Sequence, residues 1–357
     1  MTPSRLTSPL IPADAPSPPD NPVINTAGSS PGVPHSAESS AESSANIAAV
    51  ASDIADSINS VVVGRSDLVT LTLVALLAGG HLLVEDVPGV GKTTLAQALA
   101  RSIDCRVGRI QFTPDLLPSD LTGVSIYRQH TGDFEFRPGP VFNHIVIADE
   151  INRASPKTQS ALLECMEEGT VTADGTSYRL PQPFLVVATQ NPVELEGTYP
   201  LPEAQRDRFM LRLDMGYPDS AGELDMLNRM EGQSPLDQLA PVATGLMIQD
   251  LCQDIRQVYA AEPLKRYIVD IVSATRHEPQ IALGASPRAS LQLLKAAKAL
   301  AAIRGRDHVI PDDVQYLARP LLAHRLIMAG RAGTDQAGRI VEAIVARTPV
   351  IPPHQGA

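Results

Sequence analysis

His81-Leu82-Leu83-Val84-Glu85-Asp86-Val87-Pro88-Gly89-Val90-Gly91-Lys92-Thr93-Thr94 is the stretch on which the fold turns. Its first five residues are a short, largely apolar run and read as a buried strand. Thr93 to Arg101 reads as a helix. Small residues in the turn between them let successive backbone N–H groups converge on phosphate oxygens, and the helix N-terminus adds partial positive charge. Pro88, Gly89, Val90, Gly91 and Thr94 form the cradle, Lys92 suits the β- and γ-phosphates, and the Thr93 hydroxyl suits Mg²⁺. The usual pattern of such loops has a glycine six residues before the lysine, where this chain has Asp86. Aspartate tolerates unusual backbone angles. The turn is therefore expected to survive, with the carboxylate directed away from the phosphates.

Working outward, strands and helices alternate. Apolar positions Ile47, Val50, Ile54 and Ile58 recur every three or four residues, so an amphipathic helix is expected from Asn46 to Asn59. A second runs from Leu68 to Ala78 and stops at Gly79-Gly80. Buried strands are expected at Arg109–Phe112, Ile145–Ala148 and Phe184–Ala188, and a helix from the Ser155-Pro156 start to Glu168. Residues 123–137 and 170–179 read as hairpins around Thr131-Gly132-Asp133 and Asp174-Gly175. Alternation of this kind gives an α/β fold, a parallel sheet flanked by helices. Beyond Asp219 strand signals vanish. Ile248–Ala260, Leu264–Thr275, Pro287–Ile303, Asp312–Leu326 and Asp335–Arg347 read as helices of a small, all-helical second domain. The expected division is a tail over 1–45, an α/β core over 46–218, a helical domain over 219–350 and a flexible end over 351–357.

The second chemical signal is Ile145-Val146-Ile147-Ala148-Asp149-Glu150, an apolar strand closing on two carboxylates 57 residues after Lys92. Adjacent buried acids bring no obvious stability. They suit catalysis: Asp149 as the Mg²⁺ holder, through water, and Glu150 as the base that polarises the attacking water. A helix N-cap pair before Ser155 is the plainer alternative. Asn191, after the strand Phe184–Ala188, can hydrogen-bond that water or the γ-phosphate. Farther on, Glu203-Ala204-Gln205-Arg206-Asp207-Arg208 offers an arginine to a neighbouring subunit's phosphate. Arg208 is the preferred one and Arg206 its competitor, with a salt bridge to Asp207 as the plain alternative for either. Arg288 sits in the first turn of the helix after Ser286-Pro287, where a cation is locally unfavourable. That conflict points to a ligand, and Arg288 is expected to reach the nucleotide from the second domain.

Composition sets limits. The 357 residues carry a net charge of −11 and only 4% aromatics without tryptophan, which argues against a nucleic-acid coat. Cys105, Cys165 and Cys252 form no CxxC pair, so neither a zinc site nor a disulfide framework is indicated, and a reducing cytosol is the simplest setting. No apolar stretch reaches the ~18 residues of a membrane-spanning helix, and the first residues lack a secretory signal's pattern. Nine of the 31 prolines fall in residues 1–45, with ten serines and one basic residue, Arg5. Such a segment cannot bury enough apolar surface to offset the entropy of ordering it, so it reads as disordered, a plain extension or a tether.

These elements in this order resemble the AAA+ ATPases, with a P-loop core and a helical lid, and the wording between them is similar to the MoxR family. The resemblance rests on Val84–Thr93, Gln111–Asp120, Asp149–Ala154, Thr158–Glu164, Glu196–Gln205 and Ser286-Pro287-Arg288, and spans roughly residues 47–350. It implies that Lys92 and Thr93 belong to Walker A, and Asp149 and Glu150 to Walker B. It also implies Asn191 at sensor 1, Arg208 as arginine finger, Arg288 at sensor 2, and Val63 and Gly64 in the adenine pocket. Relatives commonly carry Leu where this chain has Arg206. The resemblance implies an Mg²⁺-dependent ATPase, chaperone-like toward a protein client. It further implies a homo-hexamer with inter-subunit active sites and a von Willebrand factor A domain partner, with no nucleic acid and no membrane insertion expected. A nucleotide-dependent scaffold with little turnover and a DNA-acting motor are the competing readings.

Overall fold

The computed structural model describes residues 37–62, 64–85, 91–130, 132–190, 198–216, 220, 222–224, 234–330 and 335–350. The first helix, α1 (Ala37–Asn59), starts nine residues before the expected Asn46 and so takes in the end of the segment read as disordered. The reason is local: the last proline of the tail is Pro34, and Ala and Glu recur through residues 37–42, where they favour helix. Next come α2 (Ser66–Leu77), β1 (Leu82–Glu85) and α3 (Lys92–Ser102). Then β2 (Val107–Gln111), the short α4 (Pro118–Thr122) and the hairpin β3 (Gly123–Arg128)–β4 (Asp133–Pro138) lead to β5 (Ile145–Asp149). α5 (Pro156–Glu168) opens on Ser155, whose hydroxyl accepts the Thr158 N–H at 3.4 Å, and closes on Gly169 in the left-handed region. The hairpin β6 (Thr170–Ala173)–β7 (Thr176–Arg179), β8 (Leu185–Gln190), the single-turn α6 (Glu203–Arg206) and β9 (Leu211–Leu213) complete the first half.

Five parallel strands form the sheet in the order β2-β5-β8-β1-β9. Leu82, Val84, Ile145, Ile147, Leu185 and Val187 bury one face, against the helix side that carries α1, α2 and α3. Leu83, Val146, Ala148, Val186 and Ala188 bury the other, where Leu162 and Leu163 of α5 pack. Both faces are covered, and the three central strands β1, β5 and β8 read as largely apolar runs. β9 was not expected. Three residues, Leu-Arg-Leu, are too short a run for an alternation signal.

In the second half, helices occupy Gly245–Ile255, Glu262–His277, Pro287–Ile303, Pro311–Leu322 and Gln336–Arg347, close to the expected bounds. The expectation of no strands there is corrected by a small antiparallel pair, Ile281–Leu283 with Ile327–Met328. These helices share one continuous core with α1 and α2.

His81 anchors the start of β1. Its Nδ1 accepts the Val186 N–H at 3.0 Å and its Nε2 donates to the Met166 carbonyl at 3.1 Å, which specifies a neutral ring. Burial, opposed by the Met166 bond and helped by the Arg288 charge, lowers its pKa from 6.5 to about 4. Burial also holds His324 well below the usual histidine value, with the Arg325 charge adding to it. Below the ordinary histidine range, the unfolded chain binds protons that the folded chain refuses, so stability falls with falling pH. We expect His81 to cost about 1–2 kcal/mol of unfolding free energy between pH 6.5 and pH 5, with His324 acting in the same direction. Urea melts at the two pH values check this, and equal stability at both contradicts it.

Candidate active site

All five strands run one way, so their ends define two edges, and the polar side chains divide between them. At the C-terminal edge, register places Gln111 of β2 opposite Asp149 of β5, and Gln190 of β8 opposite Glu85 of β1. Asp149 is 8% exposed. Its Oδ2 accepts from Arg109 Nε at 2.7 Å and its Oδ1 from the Thr189 hydroxyl at 3.3 Å. The same Thr189 oxygen accepts the Glu150 N–H at 2.9 Å, so one side chain on β8 fixes both acids. Glu150 has a φ of 56°, a left-handed conformation costing a non-glycine residue about 1–2 kcal/mol. It turns the chain sharply off the strand. The Glu150 Oε2 then accepts from Gln111 Nε2 at 2.8 Å and from Arg153 Nη1 at 2.9 Å.

The helix α3 opens at Lys92, with Thr93 and Thr94 in its first turn. Gly91 caps it at a φ of 92°, a conformation that suits glycine, and no acidic side chain stands in that turn. A helix start without an acid keeps its partial positive charge for an anionic ligand. Asp149, a carboxylate at the C-terminal edge, is a donor of the kind that could hold a hard cation such as magnesium. Gly64 follows the close of α1, exposed at a φ of 68°. Beside it, Arg65 Nη2 donates to the Gly216 carbonyl at 2.9 Å. Val63, the loop residues Asp86, Val87, Pro88, Gly89 and Val90, and Asn191 lie outside the described residues.

The N-terminal edge carries the arginines. Arg208 Nη2 bonds Glu167 Oε2 at 3.0 Å, and Arg288 Nη1 bonds Glu167 Oε1 at 2.8 Å. Both arginines line a cavity of ≈ 280 Å³ with Gly79, His81 and Lys295. Arg206 lies outside this lining, and its buried Nε has no partner among the described residues. Asp207 pairs with neither neighbour. It accepts from Arg325 Nε at 2.8 Å and from the Ser286 hydroxyl at 2.9 Å, both from the helical half.

This geometry corrects one expectation. Arg288 does not join Lys92 in a single pocket. Arg288 lines a cavity with His81, just ahead of β1, whereas Lys92 comes after the C-terminal end of that strand, which is about 13 Å long at ~3.3 Å per residue. Arg288 stands beside Arg208 at the far edge. Sequence reasoning also missed Gln111, Thr189, Arg109, Glu167 and Arg325. Gln111 and Thr189 gain their roles from strand register, and Glu167 and Arg325 from contacts more than 30 residues apart along the chain. Only the position of Gln111 at a strand end offered a signal.

Comparison with known proteins agrees with this anatomy. Residues 81–211 match the family described as "ATPase family associated with various cellular activities (AAA)", and residues 273–344 match the AAA lid domain. The uncharacterised protein YeaC of Bacillus subtilis is 55% identical over 297 residues, covering 83% of this chain and 93% of YeaC. Chaperone MoxR1 of Mycobacterium tuberculosis is 44% identical over 290 residues, 78% of this chain and 76% of that protein. The solved structure of a candidate ATPase from Cytophaga hutchinsonii superposes with a TM-score of 0.82 at 41% identity, covering 88% of this chain and 99% of that one.

The strained backbone of Glu150 yields a test independent of turnover. Replacing it with glycine relieves the left-handed conformation and removes one of two adjacent acids. We expect Glu150→Gly to raise unfolding stability by about 1 kcal/mol. A loss of stability by denaturant melting contradicts the strain.

Proposed function

The chain belongs to the MoxR family of AAA+ ATPases, and on that premise we propose that it hydrolyses ATP at sites completed across subunit contacts. The observation that carries this reading is that Arg208 and Arg288 stand on the edge of the sheet opposite the one that carries Asp149 and Glu150. An arginine donated in trans stabilises the charge of the transferring phosphoryl group. Two such residues from one face, one in each half of the chain, make that face the donor to the next subunit's nucleotide.

Within a subunit, Gly91, Lys92, Thr93 and Thr94 hold the phosphates at the start of α3, together with Pro88, Gly89 and Val90. Asp149 and Thr93 would hold Mg²⁺, which supplies neutralisation of the phosphate charge when bound. Glu150 orients the attacking water and takes its proton on the carboxylate, aided by Asn191. Gln111 and Arg153 hold that carboxylate through Oε2, which leaves Oε1 to take the proton. Val63 and Gly64 face the adenine.

A ring closes such donor and acceptor faces on each other, and we take the assembly to be a homo-hexamer working in the cytoplasm. Among the described residues no helix is long and apolar enough to cross a membrane. The work done is chaperone-like remodelling of a protein client, with a von Willebrand factor A domain protein as partner. The family resemblance and the naming of one relative as a chaperone support this.

Arg208→Ala and Arg288→Ala are expected to keep nucleotide affinity within about twofold, and Arg208→Ala to lower turnover by about 10³-fold. Steady-state hydrolysis with a fluorescent-nucleotide titration separates the two quantities. Wild-type turnover in both variants, or a loss confined to Arg206→Ala, overturns the assignment. Glu150→Gln held in ATP should retain the assembly with its client, and a variant that hydrolyses ATP at the native rate refutes the base.

A further inference from the structure

We propose that Glu167 is a positioning residue, whose carboxylate holds Arg208 and Arg288 as one pair for the adjoining subunit's nucleotide. The inference rests on the trans reading above. Each carboxylate oxygen takes one arginine, Oε2 that of the core and Oε1 that of the helical half. Two guanidinium groups brought this close repel each other, and the shared acid offsets that repulsion.

The arrangement contributes little to folding. The side chains are 29% exposed for Arg208, 37% for Arg288 and 36% for Glu167, and exposed pairs of this kind are worth about 0–1 kcal/mol. Its value lies in orientation. A guanidinium has five N–H donors in a fixed fork, and Glu167 occupies one or two of them on each arginine. The remaining donors stay open to a phosphate. Lys295 lines the same cavity, so three cations face one acid and the site keeps a net attraction for a polyanion.

Each member is anchored from behind. Glu167 sits in the last turn of α5, next to Met166, whose carbonyl accepts the His81 bond. Arg208 follows Asp207, which Arg325 and Ser286 hold. Arg288 stands two residues after that same serine. Ordering two long side chains before the ligand arrives removes entropy that binding would otherwise lose.

The test uses the full chain at a fixed subunit concentration, with assembly followed by light scattering. Glu167→Gln keeps the shape and removes the charge. We expect kcat to fall about tenfold with KM within about twofold. Glu167→Gln and Glu150→Gln subunits are then mixed in equal amounts. The second kind lacks the base yet donates from an intact face. Turnover per Glu167→Gln site should rise about fivefold, since half its neighbours then present ordered arginines. Arg208→Ala mixed with Glu150→Gln serves as control. Native kcat in Glu167→Gln, or no rise on mixing while the control rises, overturns the role of Glu167 alone. A control that does not rise overturns the trans reading beneath it.

Discussion

The buried guanidinium of Arg325 is the contact on which the working face depends. Its side chain is 1% exposed. A charge taken that far from water is tolerable only when its donors are matched. Asp207 matches it at 2.8 Å, the Phe209 carbonyl at 2.6 Å and the Met210 carbonyl at 3.2 Å, with Gln292 and the Leu321 carbonyl alongside. Burial lowers its pKa to about 10 against the opposing pull of Asp207, so it stays charged at neutral pH. Asp207, Phe209 and Met210 belong to the segment carrying Arg208, while Arg325, Gln292 and Leu321 belong to the helical half that carries Arg288. One ion therefore brings the two arginines to the same place.

The sheet does the opposite work and keeps two chemistries apart. Asp149, Glu150, Gln111 and Thr189 collect where the strands end. Arg208, Arg288 and Glu167 collect where they begin. A covered parallel sheet is stiff, so the two edges cannot fold onto one nucleotide within a chain. The net charge of −11 describes the surface as a whole and says nothing of these small clusters of fixed sign.

Much of the fold was legible because its signals are local. Apolar runs ending in polar residues revealed β1, β5 and β8, the Ser155-Pro156 pair the start of α5, and two turn sequences the hairpins. The helix Pro287–Ile303 matched its expected bounds at both ends. Lys92 and Thr93 at the opening of α3, and Asp149 and Glu150 at the close of β5, lie where the local sequence pattern put them. β9 was missed for its length. Gln111, Thr189 and Glu167 were missed because register and helix packing bring them to the site, and neither is written in local spacing. Arg288 was singled out by its unfavourable position in a helix's first turn, yet its partner Glu167 is set by the edge where that helix docks.

If the arginines serve a neighbour's nucleotide, one subunit alone lacks a complete site. The specific ATPase activity, measured across a dilution series with oligomeric state followed in parallel, tests it most directly. Activity per subunit should collapse as the assembly dissociates to monomers, at saturating ATP. Undiminished activity per subunit in the monomer range contradicts it.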